Sequence, residues 1–391
     1  MSNAQSWQPF LMISLALCIG TVGTALASPL YPLYQELWQL LPSHITYLFV
    51  AYMFGCLATL LFLGRTSNRF GFVRSLQVGI VLVTIGLILS AWAPTALYLG
   101  LGRFIIGIAS GLITTSAMLG LMNVVPDSHK LLAPQLSSII TAIGFGLGPF
   151  LGGVIAQFAE QPLVTPYLPV IVSAIFCGLG LFKLKQPAFE QQPFSIYPKL
   201  QTPDTPYQAA FFLVSLAAFC AFAGFSLFAS LSPSFVQDIL PWHGPLVSGV
   251  AISAILIISA IVQFFARSVL PATALRWGLY ALLGSLLLLG LCMSLQWSPL
   301  FFVSDVLVGI GHGLSLLGAF GLIHQMSQPH NRAAIMSSYL FIAYLGTIVP
   351  IIAVGYLSDH FGLSVGIISF CMLIGLLCLS LIWQQRKVLT F

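Results

Sequence analysis

The chain reads as long, unbroken apolar stretches separated by short polar breaks. Within each stretch the apolar residues run continuously and do not alternate. That fits α-helices crossing a bilayer and excludes a transmembrane β-barrel. Twelve runs can be traced, at about 8–31, 46–64, 75–92, 96–122, 134–157, 166–182, 208–230, 246–266, 277–296, 299–323, 334–357 and 364–383.

Composition agrees. Of 391 residues, 59% are hydrophobic and 5% charged, where a soluble chain carries about 25% charged residues. A soluble enzyme, a secreted disulfide scaffold and a nucleic-acid-binding domain are excluded. Twelve helices of about 22 residues take roughly 264 positions and leave about 127 for loops, so no sizeable soluble domain fits. The seven cysteines (Cys18, Cys56, Cys177, Cys220, Cys292, Cys371 and Cys378) lie inside apolar runs without CxxC spacing and read as packing residues. No metal or cofactor is expected. Ala25-Leu26-Ala27 mimics a signal-peptidase site, but the first seven residues hold no Lys or Arg. The first run is therefore expected to be a retained helix.

Charge placement sets the orientation. With the N-terminus in the cytoplasm, the inward gaps and the C-terminus hold twelve of the thirteen basic residues, and the outward loops hold none. This follows the positive-inside rule and accounts for the net charge of +5. Both termini are then cytoplasmic, in a membrane of the bacterial inner type. Trp7, Trp38, Trp92, Trp242, Trp277, Trp297 and Trp383 all fall at span ends, as an interfacial belt requires. The Pro- and Gln-rich stretch 183–207 divides the chain into 1–182 and 208–391 and reads as a cytoplasmic linker.

The two halves align at an offset of 202 residues. Arg65 falls on Arg267, Arg74 on Arg276, and Gly107, Gly111 and Leu112 on Gly309, Gly313 and Leu314. Six spans return the chain to its starting side, so the repeat is parallel. The expected fold is all-α: twelve transmembrane helices in two six-helix bundles, related by a pseudo-two-fold axis along the membrane normal.

Three segments carry recognisable patterns. The loop after span two runs from Gly64 to Arg74 with Asn68, Arg69 and Gly71 between; span four holds Arg103, Gly107 and Gly111; span five holds Gly144, Gly148, Pro149, Gly152 and Gly153 in GxxxGPxxGG spacing. Together they resemble the major facilitator superfamily: its loop motif GxxxDRxGRR, its fourth-helix arginine, and the antiporter signature of its 12-helix drug/proton branch. Asn68 stands where the family usually has an acid, which keeps a hydrogen bond and loses a charge, so a weaker latch is expected. Glycines four apart let helix backbones approach closely. Pro149 removes a backbone hydrogen bond and can bend its helix.

Ionisable side chains inside spans are rare and expensive. Arg103 and Asp305 stand at matching repeat positions with opposite charges. They suggest a pair, either a static packing bridge or one that opens with protonation or substrate. His312 follows Asp305 by seven residues, about two turns on nearly the same face. It is either a proton relay or a hydrogen-bonding ligand.

The resemblance implies a cavity lined by spans one, four, seven and ten. It would take Thr24, Ser28 and Tyr31 from the first span, Tyr52 from the second, Ser110 and Thr114 from the fourth, and Phe225, Ser226 and Phe228 from the seventh, together with Arg103, Asp305 and His312. An aromatic lining with scattered hydroxyls suits a moderately hydrophobic small molecule. Residues 8–34 hold no charge, which disfavours polycationic substrates. The expectation is a proton-coupled exporter of a small amphiphilic molecule, not an enzyme, working as a monomer by alternating access. The alternative is an importer or facilitator of a sugar, organic acid or amino acid.

Overall fold

The computed structural model describes residues 7–63, 66–125, 133–187, 197–198, 200–328 and 331–388. Among these residues, eleven helices are long and apolar enough to cross a bilayer, and the shorter Tyr167–Lys183 is apolar too. Span one is broken at Ser28–Leu30 and runs on to Trp38. Spans two to four are Pro42–Leu63, Phe72–Ala91 and Ala96–Val124. Span five is Ala133–Phe158 and span six Tyr167–Lys183. Spans seven to nine are Gln208–Ile239, Pro245–Ser268 and Pro271–Leu295. Spans ten to twelve are Ser298–Gln325, Arg332–Phe361 and Leu363–Val388.

Local chemistry sets several ends. Pro42, Pro245 and Pro271 each stand in the first turn of their helix, where a missing N–H removes no helical bond. Gly71, Gly244 and Gly362 have φ of +87°, +109° and +88°, a backbone region that other residues rarely occupy.

The chain packs as two units. The first comprises Met1–Leu30 and Ala51–Pro198, and the second Tyr31–Val50 and Lys199–Phe391. Residues 31–50, early in the chain, thus group with the second half. In that unit Ser234 donates to Gln35 Oε1 at 3.1 Å, and Gly355 lies against the Thr46 hydroxyl.

The sequence repeat is visible as repeated packing within each unit. In the first, a Cβ on Gly107 would strike the Tyr52 carbonyl, and one on Gly111 would meet Thr59 at 2.7 Å. In the second, Gly309 stands against the Ile255 carbonyl at 3.0 Å and Gly313 against the Ser259 carbonyl at 2.6 Å, measured to the same built Cβ. Span four thus lies on span two as span ten lies on span eight, backbone to backbone. Such contact is available only to glycine and supplies the dispersion that holds helices together in lipid.

Candidate functional site

In the first unit the expected residues gather around Arg103. It sits on span four, is almost fully buried, and donates from Nη1 to the Thr24 carbonyl at 2.6 Å. Its guanidinium lies 4.9 Å from the centre of the Tyr52 ring, close enough for cation–π attraction. Nε and Nη2 are buried without a hydrogen-bond partner. Thr24 contributes its main chain here, because its hydroxyl bonds back to the Gly20 carbonyl at 2.7 Å. Ser28 is buried in the break of span one, Ser110 is buried on span four, and Thr114 is half-buried.

The glycines of span five face span one. A Cβ on Gly148 would meet the Val22 carbonyl at 2.7 Å, and one on Gly144 or Gly152 would strike Thr21 or the Leu26 carbonyl. Pro149 and Gly153 are buried in the same helix. In the loop after span two, Gly71 presses on the Gln186 side chain, whose Oε1 accepts the Val73 N–H at 2.8 Å. Gln186 thereby satisfies one of the unpaired donors at the start of span three. Arg69 and Arg74 are exposed. Gly64 and the side chain of Asn68, and with it the expected weak latch, lie outside the described residues.

In the second unit the site forms around span ten. Asp305 is buried, and its Oδ1 has no hydrogen-bond partner. His312 is buried on the same helix, with Nδ1 2.9 Å from Ser259 Oγ. Gln263 Nε2 donates to that hydroxyl at 3.2 Å. The His312 ring centre is 5.8 Å from Phe222 and 5.6 Å from Phe225, and Tyr344 stacks edge-on against Phe222 at 5.5 Å. Ser226 donates to Thr347 Oγ1 at 3.0 Å. Phe228 is buried against Phe301, with ring centres 5.9 Å apart. Tyr31, which belongs to this unit, is fully buried.

The structure therefore surrounds His312 with phenylalanine faces, a hydroxyl and an amide, and leaves an acid oxygen open two turns away. Apolar walls with a few polar groups can orient a small molecule. An unmatched acid oxygen can take a proton. Ser259, Gln263, Tyr344 and Thr347 were not expected from sequence. Gln263 carried a usable signal, since an amide inside an apolar run is as conspicuous as an acid. Among the described residues no group of three or more His, Cys, Asp or Glu is placed to hold a metal ion.

Residues 13–350 match the family profile of the Major Facilitator Superfamily. The chain is 23% identical over 189 residues to the riboflavin transporter RibZ of Clostridioides difficile, covering 48% of this chain and 41% of that one. It is 24% identical over 199 residues to the synaptic vesicular amine transporter of Mus musculus, covering 47% and 36%. The matches thus span less than half the length of these relatives. Among solved structures it resembles a bacterial homologue of the human lysosomal transporter Spinster, captured inward-facing and occupied. The TM-score is 0.77 at 14% identity, over 99% of this chain and 98% of that one.

Proposed function

The chain belongs to the Major Facilitator Superfamily, and from that premise we propose that it exports a small amphiphilic molecule in exchange for protons by alternating access. The observation that carries this reading is the open Oδ1 of buried Asp305, on the same helix stripe as His312 and its phenylalanines. A carboxyl oxygen without a donor has room for a proton, and an intramembrane acid is expensive enough to need a function. Asp305 is the proton site, Arg103 a second buried charge that takes part in coupling, and His312 the relay or substrate ligand. The glycine stripe of span five supports the export direction, because a face packed directly on the span-one backbone leaves no leak path there.

The substrate is a neutral, zwitterionic or weakly anionic molecule with an aromatic or otherwise apolar body. Phenylalanine faces reward flat apolar surface, while His312, Ser259 and Gln263 offer hydrogen bonds. The likeness to a riboflavin transporter supports this class. The protein works in an inner-type membrane with both termini cytoplasmic, as a monomer.

The test is proton flux in inside-out vesicles with an imposed pH gradient, a panel of neutral, cationic and anionic compounds, and Asp305→Asn beside wild type. Compound-triggered proton release in wild type alone supports antiport through Asp305. Release that survives the substitution moves the proton site to another group. Gradient-independent pumping, or accumulation in the opposite direction, removes the export reading in favour of uptake or facilitation.

A further inference from the structure

Span twelve carries a groove of about 530 Å³ near its C-terminal end, lined by Leu376, Leu379, Ser380, Trp383 and Arg386, with Ile382 at its wall. These residues recur at intervals of three and four, so they form one stripe along the helix. Leu376, Leu379 and Trp383 are more than half exposed. Small Ser380 makes the dip, and its hydroxyl is held by Gln384 Nε2 at 3.1 Å. The apolar stripe ends at two adjacent cations. Arg386 lines the groove, and Lys387 lies over the Trp383 ring with Nζ 3.9 Å from its centre.

The helix end is pinned. Gln385 is fully buried and donates from Nε2 to the Ala272 carbonyl at 2.6 Å, which fixes it against the start of span nine. Arg276, Trp277 and Tyr280, all exposed, follow within two turns on span nine. Among the described residues the groove is lined by span twelve alone, and the start of span nine against which Gln385 is fixed also presents arginine and interfacial aromatics.

We infer that this groove is a binding site for an anionic phospholipid, its acyl chain lying along Leu376, Leu379 and Trp383 and its phosphate held by Arg386 and Lys387. Charge complementarity selects the occupant. Arginine recognises phosphate through paired donors, and tryptophan marks headgroup depth. A zwitterionic lipid would bring its own cation to two fixed cations. A water-soluble phosphate would leave the apolar stripe uncovered. A second copy of this chain would have to bring its own basic helix ends to the same place, so like charges would meet.

Purified protein in detergent would be titrated with phosphatidylglycerol and with phosphatidylcholine of the same chains, and retained lipids counted by native mass spectrometry. The expected preference for phosphatidylglycerol is on the order of tenfold, from two cations near the phosphate. It should collapse in R386Q/K387Q while phosphatidylcholine retention stays unchanged. Ser380→Trp, which fills the groove and keeps both cations, should weaken retention of both lipids. Inorganic phosphate at millimolar concentration should displace nothing. Equal retention of the two lipids, a preference surviving R386Q/K387Q, displacement by inorganic phosphate, or lipid-independent dimers lost on Ser380→Trp would each overturn the assignment.

Discussion

Asp359 and Ser43 lie 316 residues apart in sequence, and Asp359 Oδ1 accepts the Ser43 main-chain N–H at 3.0 Å. Ser43 is in the first turn of span two, so the carboxylate meets both an unpaired donor and the positive end of a helix dipole. The contact ties residues 31–50 to span eleven, where a Cβ on Gly355 would meet Ser43 Cα at 2.9 Å. Asp359→Ala should destabilise the protein by about 1 kcal/mol. Asp359→Asn should lose less, because its amide oxygen still accepts. Thermal unfolding in detergent followed by tryptophan fluorescence gives the order wild type, Asn, Ala. An unchanged midpoint for the alanine variant would show that the contact contributes nothing.

The glycines of span five predict a position-specific sensitivity to size. A Cβ on Gly148 would come within 2.7 Å of the Val22 carbonyl and 2.9 Å of the Ala25 Cβ. Rigid backbone cannot give way cheaply there. Gly148→Leu should cost about 1–3 kcal/mol through overpacking, read as lost folded yield and a lowered unfolding midpoint. Gly284 is the control, because its Cβ would only touch Leu307 at an ordinary 3.5 Å. Gly284→Ala should stay within about 0.5 kcal/mol of wild type.

Much of this architecture was legible in the sequence. Apolar run length located the eleven long helices and the shorter Tyr167–Lys183, because bilayer thickness sets how long an apolar run must be, and one offset located the glycines at which helices of each unit pack closely. The burial of Arg103, Asp305 and His312 was also expected, since charges within apolar runs have few places to go. Helix ends were less legible. Span nine begins at Pro271 and not near 277, and span twelve runs to Val388 and not 383. Arg276, Arg386 and Lys387 end an apolar run without ending a helix, because long basic side chains can reach the interface from within one. Partners were not legible at all. The acceptor for Arg103 is a main-chain carbonyl, Gln186 reaches Val73 across 113 residues, and the grouping of residues 31–50 with the second half depends on tertiary contact alone.

The Arg103 contact separates two substitutions that look equally severe on paper. Thr24 offers a carbonyl, and its own hydroxyl is spent on Gly20. Thr24→Ala should therefore leave Arg103 in place and retain most of the stability and transport. Arg103→Ala removes the donor and strands a buried carbonyl, at about 1–3 kcal/mol. Tyr52→Leu removes the ring beneath the guanidinium and should cost about 0.5–2 kcal/mol. Unfolding midpoints of the three variants, with vesicle transport alongside, test the ranking. If Thr24→Ala proves as damaging as Arg103→Ala, the main-chain account of this contact fails.

The Ser259–His312 hydrogen bond is compatible with either tautomer of the ring, and two conservative replacements tell them apart. Gln263 Nε2 donates to Ser259 Oγ at 3.2 Å, and Ser259 Oγ is 2.9 Å from His312 Nδ1, where it donates to one tautomer of the ring and accepts from the other. In the tautomer where the Ser259 hydroxyl donates to Nδ1, Nε2 carries the proton. Under the proposed function, Nε2 is then the donor offered to a substrate lying against Phe222 and Phe225. Glutamine places its amide nitrogen near the position of Nε2, whereas asparagine reaches only as far as Nδ1. His312→Gln should therefore preserve more substrate affinity than His312→Asn. Ser259→Ala, which frees the tautomer without removing the ring, should fall between wild type and the asparagine variant. Each lost bond is worth about 0.5–1.5 kcal/mol, so KM should rise about two- to tenfold per step. Concentration-dependent transport in vesicles measures the order, and an asparagine variant that outperforms glutamine would reverse the tautomer and place the working donor at Nδ1.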